Sequence, residues 1–187
     1  MIEPSEIKEA YKKSADQNAK FRIFLKNNAV EYELDAHFRM LHREIFSEYD
    51  CCKCSNCCKL YDILVDESDI KIISKHLDLA ENDFIEKYLT DSAHDGEYIE
   101  YIMKDKPCCF LDADGKCRIY ESRPSVCRDF PYTDEPYRLY NMSSVLSFSE
   151  ECPVVFEIIE RLKKIYNYRV KDYQKKKQKN IRRRDNK

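Results

Sequence analysis

Glycine is nearly missing from this sequence: Gly96 and Gly115 are the only two in 187 residues. So far apart, they cannot furnish a Walker-type phosphate loop or the G-x-G-x-x-G turn of a dinucleotide fold. ATP and NAD sites built on those motifs are excluded. Tryptophan is absent as well, so the bulk of any core falls to nine phenylalanines and fourteen tyrosines, side chains that bury large apolar areas. Long hydrophobic runs are also lacking. Val154-Val155-Phe156 and Ile158-Ile159 are broken by Glu157 and Glu160, far short of the ~20 apolar residues that span a bilayer. The opening Met1-Ile2-Glu3-Pro4-Ser5-Glu6 has neither the basic start nor the apolar centre of a secretory signal. A cytoplasmic protein with no membrane engagement is therefore expected.

What is abundant is cysteine, with ten in the chain. That is below the ~8–10% that marks a short disulfide scaffold. A reducing cytosol makes clustered cysteines metal ligands or redox groups before it makes them structural bridges. Hydrophobic residues at 43% and charged residues at 36% describe a soluble globular chain, long enough for one domain with a modest core and helical extensions.

Apolar periodicity predicts a helix from 5 to about 27 through Ile7, Tyr11, Ala15, Phe21 and Leu25, with Ser5 as its N-cap and Asn27-Asn28 as its end. Leu34, Phe38, Leu41, Ile45 and Tyr49 predict a second helix that delivers the chain to the first cysteines. Beyond them, Leu60 to Val65 reads as a short strand, and Asp66 caps a helix carrying Ile70, Ile73 and Leu77. A further helix runs through Phe84, Ile85, Tyr88 and Leu89. Tyr98 to Ile102 and Cys109 to Leu111 have strand composition, and Asp112-Ala113-Asp114-Gly115 reads as a hairpin turn into Lys116 to Tyr120. Pro124, Pro131 and Pro136 predict an irregular stretch, after which Pro153 suits the first position of a long helix through Phe156, Ile159, Leu162, Ile165 and Tyr166.

The formal charge of −2 hides an asymmetry. From Arg161 onward there are 13 basic residues against Asp172 and Asp185. This basic tail reads first as a solvated helix end whose lysines complement the helix dipole, and in the alternative as a nucleic-acid or ribosome contact. From Arg169 onward only Tyr173 interleaves it with an aromatic ring, so single-strand stacking is not supported. His37, His42, His76 and His94 have no ligand spacing, and His94 is kept only as an auxiliary ligand. Asp112-Ala113-Asp114-Gly115 begins like a calcium loop but lacks the later oxygen ligands, so it reads as a turn. No serine or cysteine has a base-and-orienter context for nucleophilic catalysis.

The informative segment is Cys51-Cys52-Lys53-Cys54-Ser55-Asn56-Cys57-Cys58. Two intervening residues let a tight turn aim two sulfurs at one centre, and repeating the step gathers three. The spacing resembles the C-x2-C-x2-C run of bacterial ferredoxins, whose remaining cysteine precedes proline as Cys152 precedes Pro153. A second set lies in Pro107-Cys108-Cys109-Phe110-Leu111, the Asp-Gly turn, Cys117-Arg118-Ile119-Tyr120 and Arg123-Pro124-Ser125-Val126-Cys127-Arg128-Asp129-Phe130-Pro131. Arg118, Arg123 and Arg128 flank these cysteines; they either offset the charge of a metal–thiolate centre or pair on the surface with Glu121 and Asp129.

In combination, these motifs resemble the YkgJ-like CxxCxxCC cysteine-cluster family, zinc- or iron-chelating proteins related to flagellin lysine methylases, over about residues 50 to 153. The resemblance implies Cys51, Cys54, Cys57, Cys58, Cys108, Cys117, Cys127 and Cys152 as metal ligands, with Cys52 and Cys109 as extras. The family often carries a glycine where this chain has Ser55-Asn56. Eight thiols suffice for two four-sulfur sites, or for one site and spare redox thiols. The cofactor expected is an iron–sulfur cluster or zinc, the tight triple step favouring the cluster.

The expected fold is α+β and mainly helical. An N-terminal helical segment (1–49) and a C-terminal helix with a basic tail (154–187) flank an irregular, cysteine-rich, metal-binding core with a short hairpin (50–153). The expected function is thiolate coordination of metal ions without a catalytic constellation; the alternative is an iron–sulfur enzyme, an oxidoreductase or a flagellin-type lysine methylase.

Overall fold

The computed structural model describes residues 1–91 and 101–168. The chain is α+β and mainly helical, and it divides into two compact units: Met1–Tyr49 with the described residues from Pro131 onward, and Asp50–Phe130.

The first unit holds α1 (Ile7–Asn28), α2 (Glu31–Phe46) and two helices near the end of the described chain, Met142–Phe148 and Pro153–Ile165. The three-to-four-residue spacing of Phe21 and Leu25 on α1, and of Leu34, Phe38, Leu41 and Ile45 on α2, puts each set on one face. These faces enclose a core with Met142, Val145, Val154, Val155, Ile158, Ile159 and Leu162. Pro153 occupies the first turn of its helix as expected, where its missing N–H is no loss. Ser5 does not cap α1. The chain already winds at Glu6, whose N–H reaches Glu3 O at 3.0 Å, and the N-cap Glu6 has helical dihedrals (φ −96°, ψ −10°) where a capping residue needs extended ones. At the other end, the Asn27 and Asn28 side-chain amides fold back to donate to Ile23 O and Phe24 O, and Ala29 N closes the last turn on Leu25 O. The segment between Phe130 and Met142 is pinned by buried Asp35, which accepts the Tyr137 and Arg138 backbone N–H groups at 3.0 and 2.9 Å.

The second unit contains α3 (Asn56–Leu60), β1 (Leu64–Val65), α4 (Glu67–His76), α5 (Glu81–Tyr88), β2 (Leu89–Asp91), β3 (Tyr101–Met103) and α6 (Ser125–Asp129). The helices of the first unit at Met142–Phe148 and Pro153–Ile165 are then α7 and α8. The strands form a small antiparallel sheet in the order β1-β3-β2, with Val65 opposite Tyr101 and Leu89 opposite Met103. Ile63, Val65, Ile70, Ile73, Phe84, Leu89, Met103, Phe110 and Ile119 close a core of their own under it.

Three local expectations are corrected. The strand expected over Leu60 to Val65 shrinks to Leu64–Val65, because α3 takes Leu60. The hairpin around Asp112 to Gly115 keeps its turn but reduces to a single bridge between Leu111 and Cys117. Leu111 N turns back to Cys108 O at 3.0 Å and Tyr120 N to Cys117 O at 3.2 Å, so neither arm stays extended. The proline-rich stretch is not uniformly irregular, since α6 begins directly after Pro124. Tyr98 to Glu100, His94 and the tail from Arg169 onward lie outside the described residues.

Asp66 caps α4 as expected: its carboxylate accepts from the Ser68 hydroxyl at 2.6 Å and the Asp69 N–H at 2.8 Å. These bonds, the Ser68 one foremost, hold its pKa below the ordinary carboxylate value. The cap therefore contributes above that value, and its contribution disappears as pH falls through the lowered one. Asp66→Ala is expected to lower the urea midpoint by an amount equivalent to about 1 kcal/mol at neutral pH, with the difference from wild type shrinking at a pH below the ordinary carboxylate value. A difference that persists undiminished at that pH would refute the capping role.

Candidate metal centre

The first cysteine run begins with a cap. The Asp50 carboxylate accepts the Cys52 N–H at 2.9 Å and opens a single 3-10 turn over Cys51–Lys53. Cys51 O then accepts from both Cys54 N (3.0 Å) and Ser55 N (2.9 Å), which is how the two-residue spacing becomes a tight turn. At Ser55 the backbone enters the left-handed region (φ 55°), a conformation costing a non-glycine residue about 1 kcal/mol. The Ser55 hydroxyl offsets this by donating to Cys52 O at 3.0 Å and Gly115 O at 2.9 Å, a bond glycine lacks. From Asn56 the chain is helical, and α3 brings Cys57 and Cys58 Sγ to 4.0 Å from each other. Four sulfurs around one ion at 2.3 Å define a tetrahedron with an edge of about 3.8 Å. Vicinal cysteines that would diverge in extended backbone thus share one side of a helical turn.

The second set is stitched directly to the first. Cys108 N donates to Cys58 O at 2.8 Å. Gly115, in the left-handed region at φ 79°, packs so tightly on the first run that a Cβ there would stand 2.2 Å from Cys52 O. Buried Phe110 and Ile119 anchor the residues between, and Cys108, Cys109, Cys117 and Cys127 pack against the core these two help to form. Cys127 rides on α6, whose start is fixed by Asp69. That buried carboxylate accepts the Ser125 N–H at 2.9 Å and the Ser125 hydroxyl at 3.2 Å.

The thiolate forms of Cys58, Cys108, Cys117 and Cys127 repel one another in every pairwise combination. Burial, followed by the charges of the other three, pushes the Cys127 thiol up to about 12. Cys58 is pushed up too, first because its thiol is hydrogen-bonded with Cys57 and then by burial. Cys108 moves the other way, to about 7, because the Cys109 thiol donates to it, with help from the Phe110 N–H and the Arg118 charge. Cys51, with Cys54 and Cys52 beside it, is raised to about 11, chiefly by burial around the sulfur although the residue as a whole is exposed. Cations answer this charge: Arg118 faces Cys108, Lys59 faces Cys58, Lys116 faces Cys52, and Arg123 faces Cys51, Cys117 and Cys127.

Of the eight expected ligands, seven lie in the Asp50–Phe130 unit. Cys152 belongs to the other unit, where it is the N-cap residue of α8 and packs against that unit's core. Among the described residues, no three or more cysteine, histidine, aspartate or glutamate side chains are drawn tightly enough together to enclose an ion. No disulfide joins any of the ten cysteines. His37 and His42 are engaged elsewhere, with Tyr166 and Thr133 respectively. One contributor escaped sequence reasoning: Asp69, 56 residues from the α6 residue it holds, had no signal in the sequence.

The donor chemistry, seven of the expected cysteine thiols within one unit with lysines and arginines in the same stretches, suits a thiophilic ion. Comparison with known proteins agrees. The family model CxxCxxCC, described as a putative zinc- or iron-chelating domain, matches residues 50–153. No solved structure matches the chain.

Two substitutions test the framework. Gly115→Ala is expected to destabilise the unit by more than the ~1–2 kcal/mol that its backbone conformation alone would cost, because the new Cβ displaces Cys52 O; bound metal should fall with it. Asp69→Ala should raise amide exchange across Ser125–Asp129 while leaving α1 and α2 protected. Unchanged exchange in α6 would show that Asp69 does not hold it.

Proposed function

Because the chain belongs to the CxxCxxCC family of zinc- or iron-chelating domains, spanning residues 50–153, we propose that Cys58, Cys108, Cys117 and Cys127 form one four-thiolate centre. Cys51, Cys54 and Cys57 provide three sulfurs toward a second centre. The observation that supports this is the backbone bond from Cys108 N to Cys58 O at 2.8 Å, which joins the two cysteine-bearing stretches.

The residues would act in distinct ways. Cys108, whose pKa is held below the ordinary thiol value with help from the Phe110 N–H and the Arg118 charge, is ready to ligate as thiolate, since a metal takes the deprotonated form. Lys59 and Arg118 lower the cost of gathering negative sulfur, and the Phe110 and Ile119 packing keeps bulk water from one side. An iron–sulfur cluster bound here would supply electron exchange, and zinc a redox-inert cross-link. We favour the iron–sulfur cluster because three sulfurs at steps of three in Cys51, Cys54 and Cys57 follow the run that ferredoxins use.

Anaerobic purification of the full chain, followed by metal and acid-labile sulfide analysis, distinguishes the cofactors. A brown protein with sulfide is expected; a colourless one with stoichiometric zinc would replace the cluster by a structural site. Cys58→Ser, Cys117→Ser and Cys127→Ser should each cut bound metal by more than half, whereas Cys52→Ser should retain it. Undiminished metal in all three quartet variants would eliminate the centre.

A further inference from the structure

A cleft of about 390 Å³ lies in the first unit, where the end of α8 passes α1. Small-molecule sites run from roughly 300 to 1,000 Å³, so the space can take a ligand. Gln17 of α1 and Glu160, Lys163 and Lys164 of α8 border it, together with Asn167 and Tyr168 just beyond the helix. Two ammonium groups and two side-chain amides thus share one space with a single carboxylate. That carboxylate is engaged, because Lys163 donates to Glu160. The Lys163 side chain is only 5% exposed, and its ammonium, with three N–H groups, keeps donors for a further acceptor. The side chains of Gln17, Lys164 and Asn167 have no hydrogen-bond or ion-pair partner among the described residues.

Lysines in a last helical turn ordinarily answer its open carbonyls and the negative end of the dipole. Here the backbone meets that need. Leu162 O accepts from Tyr166 N at 2.9 Å, Lys163 O from Tyr168 N at 2.8 Å and Lys164 O from Asn167 N at 3.0 Å. Asn167 makes this closure in the left-handed region (φ 47°), a position commonly given to glycine, and so leaves an amide at the cleft where glycine would leave none. Closure of α8 accounts neither for that amide nor for Gln17, which comes from another helix. Tyr168 supplies an aromatic wall. Its ring centroid lies 5.0 Å from that of Phe21 and 5.1 Å from that of Phe24, and Phe21 is fully buried, so the wall is held in place.

We propose that the cleft between α1 and α8 is a site for phosphate, either the free ion or the head of a small monoester. Lys163 and Lys164 supply the charge, Gln17 and Asn167 the neutral donors, and the Tyr168 ring a surface for an organic group. Phosphate oxygens accept from several directions at once, and lysine binds them as a point charge. A carboxylate, with two oxygens in one plane, would leave part of this donor set unused. No thiol borders the cleft, so the proposal stands independently of the sulfur site.

The test follows backbone amide shifts of the full chain by proton–nitrogen correlation spectroscopy, at constant ionic strength, during titration with inorganic phosphate and separately with phenyl phosphate. Saturating shifts are expected at Gln17, Lys164, Asn167 and Tyr168. Tighter binding of phenyl phosphate would identify a monoester as the ligand, and equal binding the free ion. Lys164→Gln, at an exposed position, should weaken binding about tenfold, as losing a hydrogen bond from a charged group predicts. Gln17→Glu sets a carboxylate against the anion and should abolish binding, whereas Lys75→Gln on α4 of the other unit should bind as wild type does. Far-UV circular dichroism checks that the variants keep their helices. Shifts confined to Arg169–Lys187 would place the anion on the basic tail and overturn the proposal. So would acetate moving the same amides as strongly as phosphate, or unchanged affinity in both Lys164→Gln and Gln17→Glu.

Discussion

Everything in the cysteine-bearing unit turns on a place where two backbones leave no room for a side chain. Gly115 sits against Cys52 O so closely that even a methyl group would overlap it. Ser55 closes the same junction by donating to both carbonyls. One glycine of only two in the chain is thus spent where the first cysteine run meets the turn leading to Cys117. From this contact and the Cys108–Cys58 backbone bond, the sulfurs of two distant segments acquire fixed neighbours before any ion is considered. The departure from glycine at Ser55 fits the same logic: a left-handed serine is strained, but its hydroxyl makes bonds that glycine could not.

Bringing thiols together has an electrostatic consequence. Burial first, and then the charge of neighbouring thiolates, pushes the Cys127 thiol up to about 12, while Cys108 is moved below the ordinary thiol value. Under the proposed four-thiolate centre, a bound ion would reverse this preference by taking the place of the thiol protons. The cations around the sulfurs then work in the same direction as the ion, and their distribution among both groups matters more than their number. Buried cysteines that served only as small apolar side chains would gain nothing from such an arrangement.

Much of this was legible in the sequence, for identifiable reasons. The helices α1, α2, α4, α5 and α8 carry strong apolar periodicity, and the Asp66 cap and Pro153 start are local signals that tertiary structure did not override. The strand arms around Asp112 were not legible. Their composition suits a strand, but Phe110 and Ile119 are drawn into a core whose position depends on distant residues, and the chain turns to reach it. Helix α6 was missed because its start is fixed by Asp69, a partner 56 residues away. The cysteine pattern announced a site through its spacing alone, yet spacing is silent on which sulfurs face one another. Cys152 illustrates this: its Cys-Pro pairing marks a helix start, which the fold bears out, without saying which sulfurs it would join.

The second unit also separates two sources of stability that its irregular sequence seemed to merge. Ile63, Val65, Ile70, Ile73, Phe84, Leu89 and Met103 form a core carried by β1, α4, α5, β2 and β3 and the residue preceding them, and none of these needs an ion to be buried. The cysteine-bearing turns lie on the margin of that core, with few regular hydrogen bonds of their own. Ordering them costs conformational entropy at roughly 1–2 kcal/mol per residue, which burial of Phe110 and Ile119 offsets only in part. An ion that binds only the ordered arrangement adds about 2.7 kcal/mol when present at a hundred times its dissociation constant. That increment acts on the turns and leaves α4 and α5 nearly untouched. Local opening of the thiol-bearing segments is therefore separable from unfolding of the unit, and an ion can enter or leave a scaffold that stays folded.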